Sequence, residues 1–471
     1  MLFAVSPLWA TCGGGGGGGG GGMSGSGGGS SSNPVVYHVP WKMGKDSPVT
    51  AGLVLYWFPV SNEELQKSSL LSSRVLSVYA TQCISMQLAD QRTPNAEKLV
   101  GESKLPVAVL ATPDGTPVSK VENKDGRLKV EQVEKAVESE VKQRDSTLDA
   151  SLKDAKAKAT AGDNAGAVKL YQSVLGEKCM FPKKARDAAK ELKKLGVNDI
   201  GSIPAAPIFD AAQSALIEQT MRRGLIAENS ARYVLAEKLY SWAHRMDPAD
   251  PTPLRYLGEL YRHDIGDWDK AKTAFNAILN LPADPLSRAA ALHGLGKITI
   301  HEGEFKKGLG LMEQAVAEYP LALAYRNLAV YWNSEGDLAK GNEYTQKALD
   351  LDPKDPYNLV FAAVFMAASG HGEEALKIAR ANVNLLPASY NLAAIYAQNG
   401  QRDKALAFLK RHFFQYERYQ SVRSKEMMEA RVDAVFDSLR QDPAFVALTA
   451  GADGRLQMPT RGMGGGSRMN Q

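Results

Sequence analysis

The chain has 471 residues, 44% of them hydrophobic, and sets 56 Lys and Arg against 52 Asp and Glu for a net charge of +4. That length exceeds what one hydrophobic core organises and implies several domains or a repeat array, while so even a charge balance argues against a nucleic-acid binder. No apolar run nears the roughly 20 residues that a bilayer-spanning helix needs, and Cys12, Cys83 and Cys179 are too few for a disulfide framework or a four-thiolate zinc site.

Residues 1–33 form a leader that cannot pack. A short apolar stretch over 1–11 precedes Cys12, ten glycines fill 13–22, and a Gly/Ser tract runs to Ser32, the composition of a flexible tether. Apolar stretch, cysteine and tether in this order resemble a bacterial lipoprotein start, with the small residues Ala10 and Thr11 before Cys12. The resemblance implies lipidation at Cys12 and a place in the cell envelope or periplasm, with the membrane reached only through that anchor. It departs from the family in lacking an early Lys or Arg and in carrying Trp9 where a Leu-like residue belongs. A low-complexity leader on a cytoplasmic protein is the alternative.

Strand and helix signals mix over 34–142. Gly-Leu-Val-Leu-Tyr-Trp-Phe at 52–58 ends at Pro59 and reads as a buried central strand. Asn62 opens a helical stretch with Glu63 and Glu64 in its first turn, and Leu71, Val75 and Tyr79 fall at i, i+4 and i+8, a face for the sheet. A second strand is expected over 83–88 and a third over 105–110, closed by the turn Pro113-Asp114-Gly115; a last helix spans 128–141. These motifs resemble the thioredoxin fold: Tyr56-Trp57-Phe58-Pro59 at the strand end, Leu105-Pro106 where that family places its cis-proline, and Asp114-Gly115 at its hairpin. Where the family carries Cys-x-x-Cys this chain reads Ser61-Asn62-Glu63-Glu64, and neither Ser nor Glu can exchange disulfides. Cys83 reads as a buried inert residue of the second strand and Cys179 as a packing residue in a loop; a redox enzyme or sensor using either thiol is the alternative function.

Beyond 142 helices take over. One hairpin and a basic helix occupy 143–200, with a turn at Gly162, Tyr171 on an amphipathic face and a helix over 182–195, and a Pro-containing linker follows at 201–207. Over 208–415 the chain repeats itself. Gly303 to Gly336, Gly308 to Gly341, Ala315 to Ala348 and Pro320 to Pro353 are each 33 residues apart, and Gly336 to Gly370 is 34. Small residues let the helices of a hairpin approach, glycine supports the turn between them, and proline ends the second helix. Hairpins of this kind stack because none buries its apolar face alone. The landmarks Leu257-Gly258-x-x-Tyr261, Gly266, Ala271 and Phe275, with the units that follow, resemble the tetratricopeptide repeat. The spacing of 37 from Gly266 to Gly303 places extra residues around Pro282 and Pro285. Residues 416–450 read as a polar-faced capping helix pair and 451–471 as a Gly-rich tail. The expected fold class is therefore an α+β thioredoxin-like domain followed by an all-α tetratricopeptide solenoid.

Among the seven histidines no His-Glu-x-x-His cluster occurs, no glycine loop precedes Lys-Ser/Thr, and no Gly-x-Ser-x-Gly elbow is present. The reading is a non-catalytic protein-interaction scaffold with no cofactor and no metal site. Resemblance to the repeat family implies a groove lined by the first helix of each hairpin. On that register Arg255, Glu259, Arg262, His263, His293, Lys297, His301, Arg326, Asn327, Asn333 and Tyr357 face inward. Bases and amides outnumber acids there, which suits a protein or peptide partner that is acidic or carries a free carboxylate. Tyr240, Trp242, Phe275 and Tyr331 are expected between helices.

Overall fold

The computed structural model describes residues 35–43, 51–61, 64–65, 68–90, 92–93, 95–204, 211–417 and 420–453. Cys12 with its leader and the tail beyond 453 lie outside them, as do Asn62, Glu63 and the linker over 205–207. Two compact units divide the chain, Val35–Gln219 and one that starts at Thr220.

The first unit begins with strands β1 (Lys42–Met43) and β2 (Leu53–Phe58), then helix α1 (Arg74–Ala80), β3 (Ile84–Leu88), the short α2 (Ala96–Val100), β4 (Val107–Ala111) and β5 (Pro117–Glu122). Strand order is β1-β3-β2-β4-β5. β3 pairs parallel with both β1 and β2, whereas β4 pairs antiparallel with β2 and β5. β4 is buried at every position and β2 at all but Tyr56, as their unbroken apolar runs require of central strands, while β5 alternates between half-buried and exposed positions as an edge strand does. The Leu105–Pro106 peptide bond is cis.

Two expectations change here. The inward face of the first helix is Leu76 and Tyr79 rather than Leu71, Val75 and Tyr79, because Ser73 starts a new helix by accepting the Leu76 N–H at 3.0 Å. The helix expected to end at Val141 continues as α3 (Val130–Thr160), 31 residues long. Val133 and Val137 are buried near its start and Leu148 and Ala155 further on, where it pairs with α4 (Asn164–Gly176). Helix α5 (Pro182–Lys194) packs on α4 through Ala185, Ala188 and Leu192.

Six helical hairpins follow: α6 (Ala211–Asn229) with α7 (Tyr233–Met246), α8 (Thr252–Glu259) with α9 (Trp268–Leu279), α10 (Pro285–His301) with α11 (Phe305–Glu318), α12 (Ala322–Ser334) with α13 (Leu338–Leu351), α14 (Pro356–Ala368) with α15 (Gly372–Ala381), and α16 (Ser389–Gln398) with α17 (Arg402–Arg411). A π-helical turn, Leu260–Ile265, extends α8. The turn residues Gly266, Gly303, Gly336, Gly370 and Gly400 all have positive φ, between 67° and 94°, a conformation that glycine reaches without a Cβ penalty. Within the α10/α11 pair, a Cβ on Gly308 would lie 2.6 Å from the Gly296 carbonyl oxygen, so these backbones touch because both residues lack side chains. Tyr240 and Phe275 are core as expected; Trp242 is 39% exposed. The described residues close with α18 (Gln420–Val432), a 3-10 turn (Ala434–Leu439), α19 (Pro443–Thr449) and a second 3-10 turn (Ala450–Asp453). Among the described residues no helix is long and apolar enough to cross a membrane.

Candidate functional site

The first candidate lies at the C-terminal end of β2, where the dithiol of a redox domain would sit. Val60, Ser61, Glu64, Ser68, Ser69, Gly126, Arg127 and Leu128 line a cleft of about 430 Å³. Ser61 Oγ accepts the Glu64 N–H at 3.1 Å. Burial pushes the Glu64 carboxyl up to about 7, against a backbone N–H of Val60 that favours its ionised form. Nothing in this lining can attack a disulfide.

Both remaining cysteines are accounted for by a bond that the sequence does not reveal. Cys83 and Cys179 form a disulfide with their Cα atoms 5.9 Å apart. This corrects the reading of each as an isolated residue. Cys83 sits one residue before β3 with φ of +62°, outside the strand, and turns toward the loop between α4 and α5 that holds Cys179. In this state neither sulfur is a free thiol.

The second candidate is the face made by the first helices of the hairpins. Several residues placed there by register are buried and already engaged. Arg255 lies over the Tyr256 ring at 5.6 Å, and Glu259 accepts from Arg262 at 2.6 Å. Arg326 donates to Asn358 at 2.7 Å and is flanked by the Tyr357 and Phe361 rings. His293 Nε2 lies 2.8 Å from the Asn327 amide, and its pKa is held well below the ordinary histidine value by burial and by Arg262, Lys297 and Arg326. The Asn333 carbonyl closes the hairpin turn by accepting from Gly336. The Arg326–Asn358 and His293–Asn327 bonds join neighbouring hairpins.

Lys297 and His301 meet something else, the acidic face of α18, and His263 meets the segment just before it. Glu426, Glu429 and Asp433 fall at i, i+3 and i+7 along one side of that helix and its C-terminus. His301 Nδ1 stands 2.6 Å from Glu429, and Tyr390 on α16 donates to Asp433 at 3.0 Å. Lys297 donates to Tyr331 of α12 at 2.7 Å. Burial works against its ammonium, yet Tyr331, Glu426 and Glu429 hold its pKa above the ordinary lysine value. His263 pairs with Tyr416 at 2.9 Å, just before α18. Burial opposes the charge on His263 too, but Asp264 and Glu417 hold its pKa above normal. The polar face expected of a capping helix thus turns onto α10, α12 and α16. Sequence reading missed Tyr390, His412, Tyr416, Glu417, Glu426, Glu429 and Asp433; the acid spacing in α18 was the available signal.

Residues 254–281 match the family model for the tetratricopeptide repeat. The chain carries this repeat. A CTR9 homolog of Arabidopsis thaliana is 25% identical over 235 residues, a match that spans 39% of this chain and 21% of that protein. Solved structures to which the chain is similar include MamA (21% identity, TM-score 0.26, 38% of this chain and 96% of that one) and YrrB, described as a TPR protein with an unusual peptide-binding site (20%, TM-score 0.26, 40% and 97%). A third, PilF of Pseudomonas aeruginosa, is 14% identical with a TM-score of 0.32, over 46% of this chain and 99% of that one. Repeats of this kind are protein-interaction modules.

Proposed function

We propose that the protein is a non-catalytic assembly scaffold whose repeats recognise an acidic helical segment of a partner, at the position α18 takes in the chain itself. The observation that carries this reading is the seating of Glu426, Glu429 and Asp433 against His301, Lys297 and Tyr390. A helix with acids at that spacing is the ligand the face is built to satisfy, and the intramolecular copy competes at high effective concentration. The test is a labelled peptide of residues 417–433, titrated in EDTA against the full chain and against its Glu426→Ala, Glu429→Ala, Asp433→Ala variant. The variant is expected to bind at least about tenfold tighter, since its own helix no longer competes, and further change of Lys297→Glu should abolish binding. A folded variant with no affinity for the peptide sinks the proposal.

In this reading the sheet unit is thioredoxin-like in architecture and has lost dithiol chemistry, which its mixed strand order and the residues Ser61 to Glu64 support. Lipidation of Cys12 and an address in the cell envelope belong to the same proposal. The Cys83–Cys179 bond supports them, because disulfides persist in oxidising compartments. An acyl group on the N-terminal peptide, read by mass spectrometry of native protein, is the expected result; an unmodified Cys12 returns the protein to the cytoplasmic alternative.

That bond also favours a second reading, exchange at Cys83 and Cys179. A reduction potential above about −230 mV would mark an exchangeable pair, and one below about −300 mV a structural staple.

A further inference from the structure

Where α18 meets the repeats, two groups of side chains converge on one carboxylate. His301, Glu426 and Glu429 form one triad, His412, Glu417 and Glu426 the other, and within each triad the ligand atoms lie within 4.8 Å of one another. The five residues come from three stretches of the chain: His301 ends α10, His412 opens a π-helical turn after α17 (His412–Tyr416) that Glu417 follows, and Glu426 and Glu429 sit one turn apart on α18. His412 is the independent observation. It is 4% exposed, neither ring nitrogen has a hydrogen-bond partner, and its Nε2 faces Glu426 at 3.6 Å. Tyr390, Phe413 and Tyr416 pack around the ring and fix its direction. A buried imidazole whose nitrogens make no hydrogen bond is costly, and so is the equally buried Glu417, 4% exposed. A cation between them removes both costs.

We propose that His412, Glu417 and Glu426 bind a divalent transition-metal cation, and that His301 and Glu429 form with the shared Glu426 a second, adjoining position. An imidazole with two carboxylates in each triad suits the borderline ions, zinc, iron(II) and nickel among them, rather than a hard all-oxygen cation. Glu417 and His412 belong to the end of the repeat array and Glu426 to the helix folded back on it, so the ion fastens α18 in place. Lys297 and Arg262 are nearby charges that work against the site; Lys297 is engaged by Tyr331 and Arg262 by Glu259. Metal binding is independent of the peptide reading and can fail without it.

The experiment uses oxidised full-length protein stripped with EDTA and titrated with zinc chloride by calorimetry. Saturable micromolar or tighter binding is expected. Glu426→Gln should weaken it by more than about tenfold, the lower bound of what losing even an outer-shell partner costs, and His412→Asn should do the same. His371→Asn, on an exposed residue away from these triads, should leave it unchanged. Zinc-edge X-ray absorption of the unaltered protein covers the case in which a variant misfolds: imidazole scattering is expected. Absence of saturable zinc binding to the parent chain, or a bound ion without imidazole ligands, overturns the assignment.

Discussion

Glu228 shows what the interior of the array asks of a single residue. It accepts from Tyr240 at 2.6 Å, and burial, reinforced by Asp264 and Glu259 against the opposing Tyr240 and His263, pushes its carboxyl up to about 8. The folded chain therefore keeps a proton there that the unfolded chain gives up near pH 4.5, and this residue's contribution to stability falls as pH rises between those two values. Glu228→Gln keeps the acceptor for Tyr240 and removes the titration. Denaturant melts should show the variant matching the parent near pH 5 and exceeding it by more than about 1 kcal/mol above pH 8; equal pH profiles would contradict this account. Two glycines of α11 offer a matched pair. Gly308→Ala places a methyl against the Gly296 carbonyl and should cost about 1–3 kcal/mol. Gly310→Ala meets nothing within 4 Å and should gain roughly 0.5–1 kcal/mol from helix propensity. At this scale the turn glycines were legible because a left-handed turn needs a residue type that the sequence displays. The partners of His301 and His263, and the acids near Lys297, were not. They come from a segment outside the repeat register, and a charged helix face reads the same whether water or another helix covers it.

Among the elements, β2, β3 and β4 announced themselves by apolar runs and turn residues. The edge strands did not: β1 is two residues long, and β5 alternates too weakly to stand out from the loop beside it. The unbroken course of α3 could have been read, since no Gly or Pro interrupts 130–160 and the first stop is Gly162. The Cys83–Cys179 pairing could not, because 96 residues separate the two sulfurs and no pattern joins them. Chain-entropy arguments for a loop of that size put the stabilisation at roughly 2–5 kcal/mol. Cys83→Ser together with Cys179→Ser should lower the unfolding free energy of the oxidised protein by that amount, while adding reductant to the double variant changes nothing further. An unaltered denaturation midpoint would show that the bond constrains little.

For the whole molecule, the 33- and 34-residue spacings stated the architecture of the array, while the fold-back of α18 emerged only in three dimensions. Helix α3 carries a consequence of a different sort. At about 1.5 Å per residue it is a rod of roughly 45 Å, its early turns bedded on the sheet and its later turns on the neighbouring helices. The disulfide bridges the same two regions a second time. A strut and a rivet together leave no joint at which the sheet could swing away from the helices that follow it, so limited proteolysis should spare 130–160 and release both as one fragment.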